Sequence, residues 1–359
     1  MLINVQALRA VAAFAVVFVH LQVLAVILGW GPNAFVFGNA GVDLFFVISG
    51  AIMVVTVRRR PQTPQKFLAN RIARIAPLYW LITGVVFCAA QMAPSLFDAT
   101  HPDLTQLLKS LLFIPFQRGD GRMAPVVFVG WTLNYEMAFY LLFAAGLAFK
   151  RWSAGLTVVL VALVATVSFG LVTHPAGGLE RFYTAPLVLE FALGMGIGAA
   201  VGRVRRVRIP NSWVLGVDAL MVALILAGPQ AWPWLDRFIA FGLPAAVLVA
   251  SAIHLEETGR VVGGKWLRRL GDASYSTYLT HFFITQAVIK AAITLGLAAP
   301  LAVIPLTGLI FVLVAAGGLA THAAVERPLI KLSKRRLFAI RGQSAVVSAP
   351  NTVKVEPSG

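Results

Sequence analysis

Residues 7–28, ALRAVAAFAVVFVHLQVLAVIL, decide the fold class. Only Arg9, His20 and Gln22 interrupt an otherwise apolar run. A helix needs about 20 such residues to cross the hydrocarbon core of a bilayer. Working outward, similar windows recur at 40–57, 77–96, 126–149, 153–173, 185–202, 212–230, 237–255, 275–297 and 300–325. The expected fold is therefore an all-α polytopic transmembrane helical bundle of about ten spans. Residues 1–340 form its membrane domain. The polar, proline-containing segment 341–359 reads as a disordered tail. The segment 103–116 is too short to span and reads as an interfacial or re-entrant helix.

Composition agrees. Of 359 residues 59% are hydrophobic and 12% charged, where a soluble domain carries about 25% charged residues. So few charges cannot cover a soluble core of this length, which excludes an ordinary cytosolic enzyme and a disordered chain. The one cysteine, Cys88, excludes a disulfide scaffold.

Basic residues set the expected orientation. Arg9, the 58–74 cluster, Lys150 and Arg151, the arginines of 203–208, the 260–269 cluster and the basic residues from Arg327 to Lys354 all fall on one side. The opposite loops hold only Lys109, Arg118, Arg122, Arg181 and Arg237, and Lys290 falls inside a span, where it is expected to snorkel outward. By the positive-inside rule both termini are cytoplasmic, and the first apolar helix is read as retained. The net charge of +16 is then a signal of topology and anionic-lipid attraction, and not a nucleic-acid surface.

Ionisable side chains inside spans are costly and therefore functional suspects. Eleven residues separate Arg9 from His20, so they share a helix face, within about 20° and roughly 16 Å apart along the axis. A snorkelling arginine with a hydrogen-bonded histidine and a functional pair both fit. Arg71 and Arg74 share a face at i, i+3, which suits either a phosphate clamp or a membrane anchor. Asp43, Glu136 and Glu190 fall in the same half of the membrane as His20, so a general-base centre and a set of structural hydrogen bonds both fit. Tyr275, Tyr278 and His281 in SYSTYLTH lie near the cytoplasmic end of a span, as do His322 and Glu326 at i, i+4. No GxxxxGK[ST], HExxH or paired Cys/His spacing occurs, so no metal site is expected.

The stretches VQALRAVAAFAVVFVH, GVDLFFVISG, FLANRIARIAPLYW, WTLNYEMAFY, SYSTYLTH and VERP, in that order from residue 5 to about 328, resemble the acyltransferase 3 family of integral membrane acyltransferases. The likeness is to its ExoZ-like, exopolysaccharide-modifying branch. The family's usual Trp-Ser-Leu reads Trp131-Thr132-Leu133 here, and Ala51 stands where an aromatic is usual. The resemblance implies an enzyme of the inner membrane that moves an acyl group, usually acetyl from acetyl-CoA, to a hydroxyl of a polysaccharide or lipid-linked oligosaccharide. Acyl-CoA is then a co-substrate and no cofactor is permanently bound.

On that footing His20 is the expected general base, supported by Asp43 or Glu136, with Glu190 and Glu326 as secondary candidates. Arg9, Arg71, Arg74, Tyr275 and His281 are the expected donor-binding residues. The competing class is a proton-coupled transporter or a flippase of a lipid-linked sugar. The lack of an internal repeat argues against it.

Overall fold

In a computed structural model the described residues are 2–31, 33–94, 102–202 and 209–347. They form α1 (Ile3–Val19), α2 (Gln22–Ile27), α3 (Ala40–Arg59), α4 (Pro64–Met92), α5 (Leu104–Leu111), α6 (Trp131–Gly146), α7 (Trp152–Thr173) and α8 (Gly178–Tyr183). Then follow α9 (Leu189–Ala200), α10 (Asn211–Ala231), α11 (Leu243–Glu257), α12 (Lys265–Asp272), α13 (Ser274–Thr294), α14 (Val303–Thr321) and α15 (Arg327–Val347). A hairpin pairs β1 (Phe116–Gln117) with β2 (Met123–Ala124). The arginines of 203–208, His101 and the segment 348–359 lie outside the described residues.

α3 is the axis of the bundle. Its span is 83% buried, against 22% for that of α7 and 17% for that of α10. The peripheral helices are apolar all round and expose Val161, Val172, Ile304 and Val312, a surface suited to lipid. α9 reaches the axis because both helices carry glycine at the crossing. A Cβ on Gly194 would lie 2.0 Å from the Val47 carbonyl oxygen, and one on Gly50 would lie 2.2 Å from that of Phe191. Gly194 and Gly198 make the small-xxx-small spacing that lets two backbones touch.

Among the described residues six helices are long and apolar enough to cross a membrane: 36–59, 64–92, 152–173, 211–228, 238–257 and 300–337. The chain is a multi-pass membrane protein. The other four expected windows hold α1, α6, α9 and α13, which are shorter or more polar.

Three expectations change in detail. The helix expected over 7–28 breaks at His20, whose φ of −95° and ψ of 2° leave the helical ladder, and restarts as α2. The third expected span begins much earlier, at Pro64, with Thr63 capping the Lys66 amide. Arg71 and Arg74 therefore lie within this membrane helix rather than before it. α15 runs on to Val347, into the segment expected to be a tail.

Two end contacts lock α1 in place. The Ile3 and Asn4 amides both donate to the Glu256 carboxylate at 2.8 Å, which satisfies orphan amides and complements the helix dipole. On the far side of the bundle α5 exposes Leu104, Leu108 and Leu112 on one face, as an interfacial helix does, and Trp80 Nε1 donates to the Leu111 carbonyl at 2.8 Å.

Candidate active site

Two cavities open inside the bundle, one towards each end. The first, about 340 Å³, lies where α1, α4 and α13 begin and α3 ends. Arg9, Arg71 and Arg74 all line it, with Glu136, Tyr140 and Tyr275. The i, i+3 spacing on α4 delivers Arg71 and Arg74 together, and α1 crosses to add Arg9. Among the described residues no carboxylate forms an ion pair with any of the three. Arg9 Nη1 donates only weakly to Gln6 Oε1 at 3.4 Å, and the Nε atoms of Arg9 and Arg71 are buried without a partner. The Arg71 guanidinium lies over the rings of Phe67 and Tyr140, at 5.7 and 6.0 Å from their centroids. Stacking fixes the plane of the fork and leaves its edge for a ligand.

Glu136 is the one acidic side chain of this cavity, and it is occupied. The Tyr140 hydroxyl donates to its Oε1, and Ser49 Oγ donates to the same oxygen at 3.2 Å. Three guanidinium groups face one hydrogen-bonded carboxylate, so the cavity is built for an anion. Tyr275 lines it with its hydroxyl tied to the Ile75 carbonyl at 2.6 Å.

The second cavity, about 910 Å³, holds His20. Its walls include Phe128, Trp131, Phe282, the hairpin residues Arg118, Asp120 and Arg122, and Lys290. Val42 and Tyr278 line both cavities and form the partition between them. Tyr278 is held there by two bonds: its hydroxyl pairs with Thr132 Oγ1 at 2.8 Å and donates to the Val129 carbonyl at 2.9 Å.

Three of the expected residues lie elsewhere than the sequence places them. Asp43 does not reach His20. It is fully buried in a bidentate pair with Arg237, whose Nη2 is 2.8 Å from Oδ2 and Nε 3.2 Å from Oδ1. Glu136 belongs to the arginine cavity rather than to His20, because α6 turns it towards Ser49. His281 does not line the arginine cavity either: it is fully buried with its ring centroid 5.2 Å from that of His20. Its Nδ1 lies 2.6 Å from the Tyr278 carbonyl. A carbonyl only accepts, so Nδ1 carries the proton and Nε2 the lone pair. That Nε2 is buried and has no partner.

The remaining candidates form separate clusters. Glu190 is buried beside Asp43 and Arg237, away from both cavities. Glu326 accepts from Ser276 Oγ at 2.5 Å and pairs with His322 Nδ1 at 2.7 Å, where a π-helical turn over 322–326 brings the two into line. Lys290 is exposed and also lines the His20 cavity. No group of three His, Cys, Asp or Glu able to hold a metal occurs among the described residues.

Sequence reasoning missed Ser49 as a keeper of Glu136, and Arg237 as the partner of Asp43. The spacing of Glu136 and Tyr140 at i, i+4 was a readable signal. Nothing in the sequence pairs residues 43 and 237.

A family model described as an acyltransferase domain matches residues 2–321. The chain is 38% identical over 312 residues to the exopolysaccharide production protein ExoZ of Rhizobium meliloti, covering 84% of this chain and 92% of that one. It is 27% identical over 365 residues to the acyltransferase MdmB of Streptomyces mycarofaciens, covering 88% and 87%. It is 24% identical over 307 residues to YrhL of Bacillus subtilis, named as a candidate peptidoglycan O-acetyltransferase, covering 77% of this chain and 47% of that one. No solved structure matches the chain significantly.

Proposed function

This chain belongs to the acyltransferase 3 family, and from its two cavities we propose how it works as an O-acyltransferase. The donor is acyl-CoA, acetyl-CoA first. Its phosphates bind the arginine cavity from the cytoplasm, held by Arg71 and Arg74 with Arg9 assisting. The acceptor is a hydroxyl of an extracytoplasmic or lipid-linked carbohydrate such as an exopolysaccharide, bound in the His20 cavity. The bundle sits in the inner membrane with about ten spans and both termini cytoplasmic. The names of its relatives, an exopolysaccharide production protein and a candidate peptidoglycan O-acetyltransferase, support a glycan acceptor.

One observation carries the reading. An anion-ready cavity with three arginines and no ion-paired carboxylate among the described residues shares a wall, Val42 and Tyr278, with the larger cavity that His20 lines. Donor and base therefore meet at a thin partition.

The reaction follows from that placement. A ring nitrogen of His20 takes the proton of the acceptor hydroxyl as its oxygen attacks the thioester carbonyl carbon. The carbon–sulfur bond then breaks, and the CoA thiolate takes the proton back from the imidazolium. The products are the ester and free CoA. His281 supplies the support expected of a carboxylate: its ring centroid lies 5.2 Å from that of His20, and its unprotonated, unpartnered Nε2 is available to accept an N–H from that ring as the imidazolium forms. Positioned base catalysis of this kind is worth roughly 10²–10⁴ in rate.

The test is transfer of labelled acetyl from acetyl-CoA to cell-surface polysaccharide by purified protein in lipid. His20→Ala should lose transfer by at least about a hundredfold while still inserting and binding CoA. His281→Ala should lower kcat and leave CoA affinity unchanged. Full transfer by a well-inserted His20→Ala protein refutes the mechanism.

A further inference from the structure

We infer that the acceptor is an anionic saccharide, and that its negative group seats on Arg122 and Lys290 in the His20 cavity. The inference rests on the reading above, in which that cavity faces outward and holds the acceptor.

The argument begins with where the cations are. On that orientation only six basic residues lie on or towards the outer side: Lys109, Arg118, Arg122, Arg181, Arg237 and Lys290. The positive-inside bias works against each of them, so each calls for a reason. Arg237 has one, its buried pair with Asp43. Of the other five, three line the same cavity.

Within that cavity the three are not equivalent. Arg118 is engaged in holding the wall, with Nη1 donating to the carbonyls of Pro125 and Val126 at 3.1 and 3.2 Å. Arg122 is exposed, its guanidinium 5.5 Å from the centroid of the Phe128 ring, and Lys290 is exposed at the far end of the α13 face that also bears Phe282. Neither Arg122 nor Lys290 takes part in an ion pair among the described residues. The single carboxylate of the cavity, Asp120, accepts the Arg122 backbone amide at 3.0 Å and shapes the turn of the hairpin.

A site for a neutral sugar needs stacking rings and balanced donors and acceptors. This one has the rings, Phe128, Trp131 and Phe282, but also a surplus of positive charge. That surplus fits a saccharide bearing either a carboxylate on a sugar ring or the diphosphate of a polyprenyl carrier.

The experiment measures binding to the full-length protein in lipid nanodiscs, with no acyl donor present. The probes are an oligogalacturonide, undecaprenyl diphosphate and a neutral cello-oligosaccharide of the same length as the first. At least one anionic probe should bind about tenfold or more tighter than the neutral one. The double variant Arg122→Gln/Lys290→Gln should lose most of that preference and its salt dependence, while its CoA affinity stays as in the parent. Preference for the oligogalacturonide identifies an acidic sugar, and preference for the diphosphate identifies a lipid-linked one.

Equal binding of charged and neutral probes overturns the inference. So does anionic binding that survives the double variant but disappears in Arg71→Gln, and so does the absence of binding of either anionic probe at millimolar concentration. Failure of the acyl-transfer reading would look different: CoA would fail to bind while the anionic probes still did.

Discussion

Arg74→Gln separates an arginine that binds a ligand from one that anchors a helix, because the two roles predict opposite effects on the empty protein. Arg74 is half-buried beside Arg9 in the first cavity and repels it electrostatically. Two unit charges about 4 Å apart at an effective dielectric of about 20 repel by about 4 kcal/mol, and the repulsion falls as the inverse of the distance. Salt screens charges inside a cavity only partly. Removing the Arg74 charge relieves that repulsion, so the unliganded variant should melt at the parent's temperature or above it.

Ligand binding should move the other way. A charge-assisted hydrogen bond to a phosphate contributes about 1.5–3 kcal/mol, and about 1.4 kcal/mol is tenfold in affinity. The Kd for CoA should therefore rise by about ten- to a hundredfold. Thermal unfolding of the purified protein with and without CoA, and calorimetric titration of CoA, read both effects on one sample. A melting temperature that falls by several degrees with an unchanged CoA Kd would make Arg74 a structural anchor and refute the reasoning.

Two further outcomes test the frame that holds the cavities. Asp43→Asn removes the carboxylate that holds the half-buried Arg237 in a bidentate pair and leaves Glu190 as the neighbouring acid, which should cost about 1.5–3 kcal/mol. The melting temperature should drop, and the apolar double variant Asp43→Leu/Arg237→Met should recover much of the loss. An unaltered melting temperature in Asp43→Asn would mean that the pair does not hold Arg237 against the Asn39 carbonyl and the Trp131 ring. Gly194→Val puts a branched side chain where even a Cβ would lie 2.0 Å from the Val47 carbonyl oxygen. The α3–α9 crossing must then open, and monodisperse protein yield should fall sharply; a variant as well folded and stable as the parent would contradict this packing.

Much of the architecture is legible in the sequence because membrane helices announce themselves locally. The apolar runs, the one-sided distribution of Lys and Arg, and the i, i+3 spacing of Arg71 and Arg74 need no knowledge of neighbouring elements. Solvation by lipid and headgroups acts on each segment by itself. The same local logic made Arg9 and His20 suspects, since an ionisable group in a span is costly whatever surrounds it.

Tertiary structure alone decided who meets whom. Asp43, Glu136 and Glu190 look alike as acids in apolar helices, yet packing sends them to different partners. A π-helical turn over 238–242, just before α11, brings Arg237 to Asp43, while α6 faces Glu136 towards Ser49. His281 reads as a cytoplasmic-end residue by its place on α13, and only the crossing of α13 with α1 brings it beside His20. The helix break at His20 is equally invisible in the sequence, because the run continues apolar on both sides. Contacts across residue separations in the hundreds depend on helix crossings, and single-segment periodicity carries no information about them.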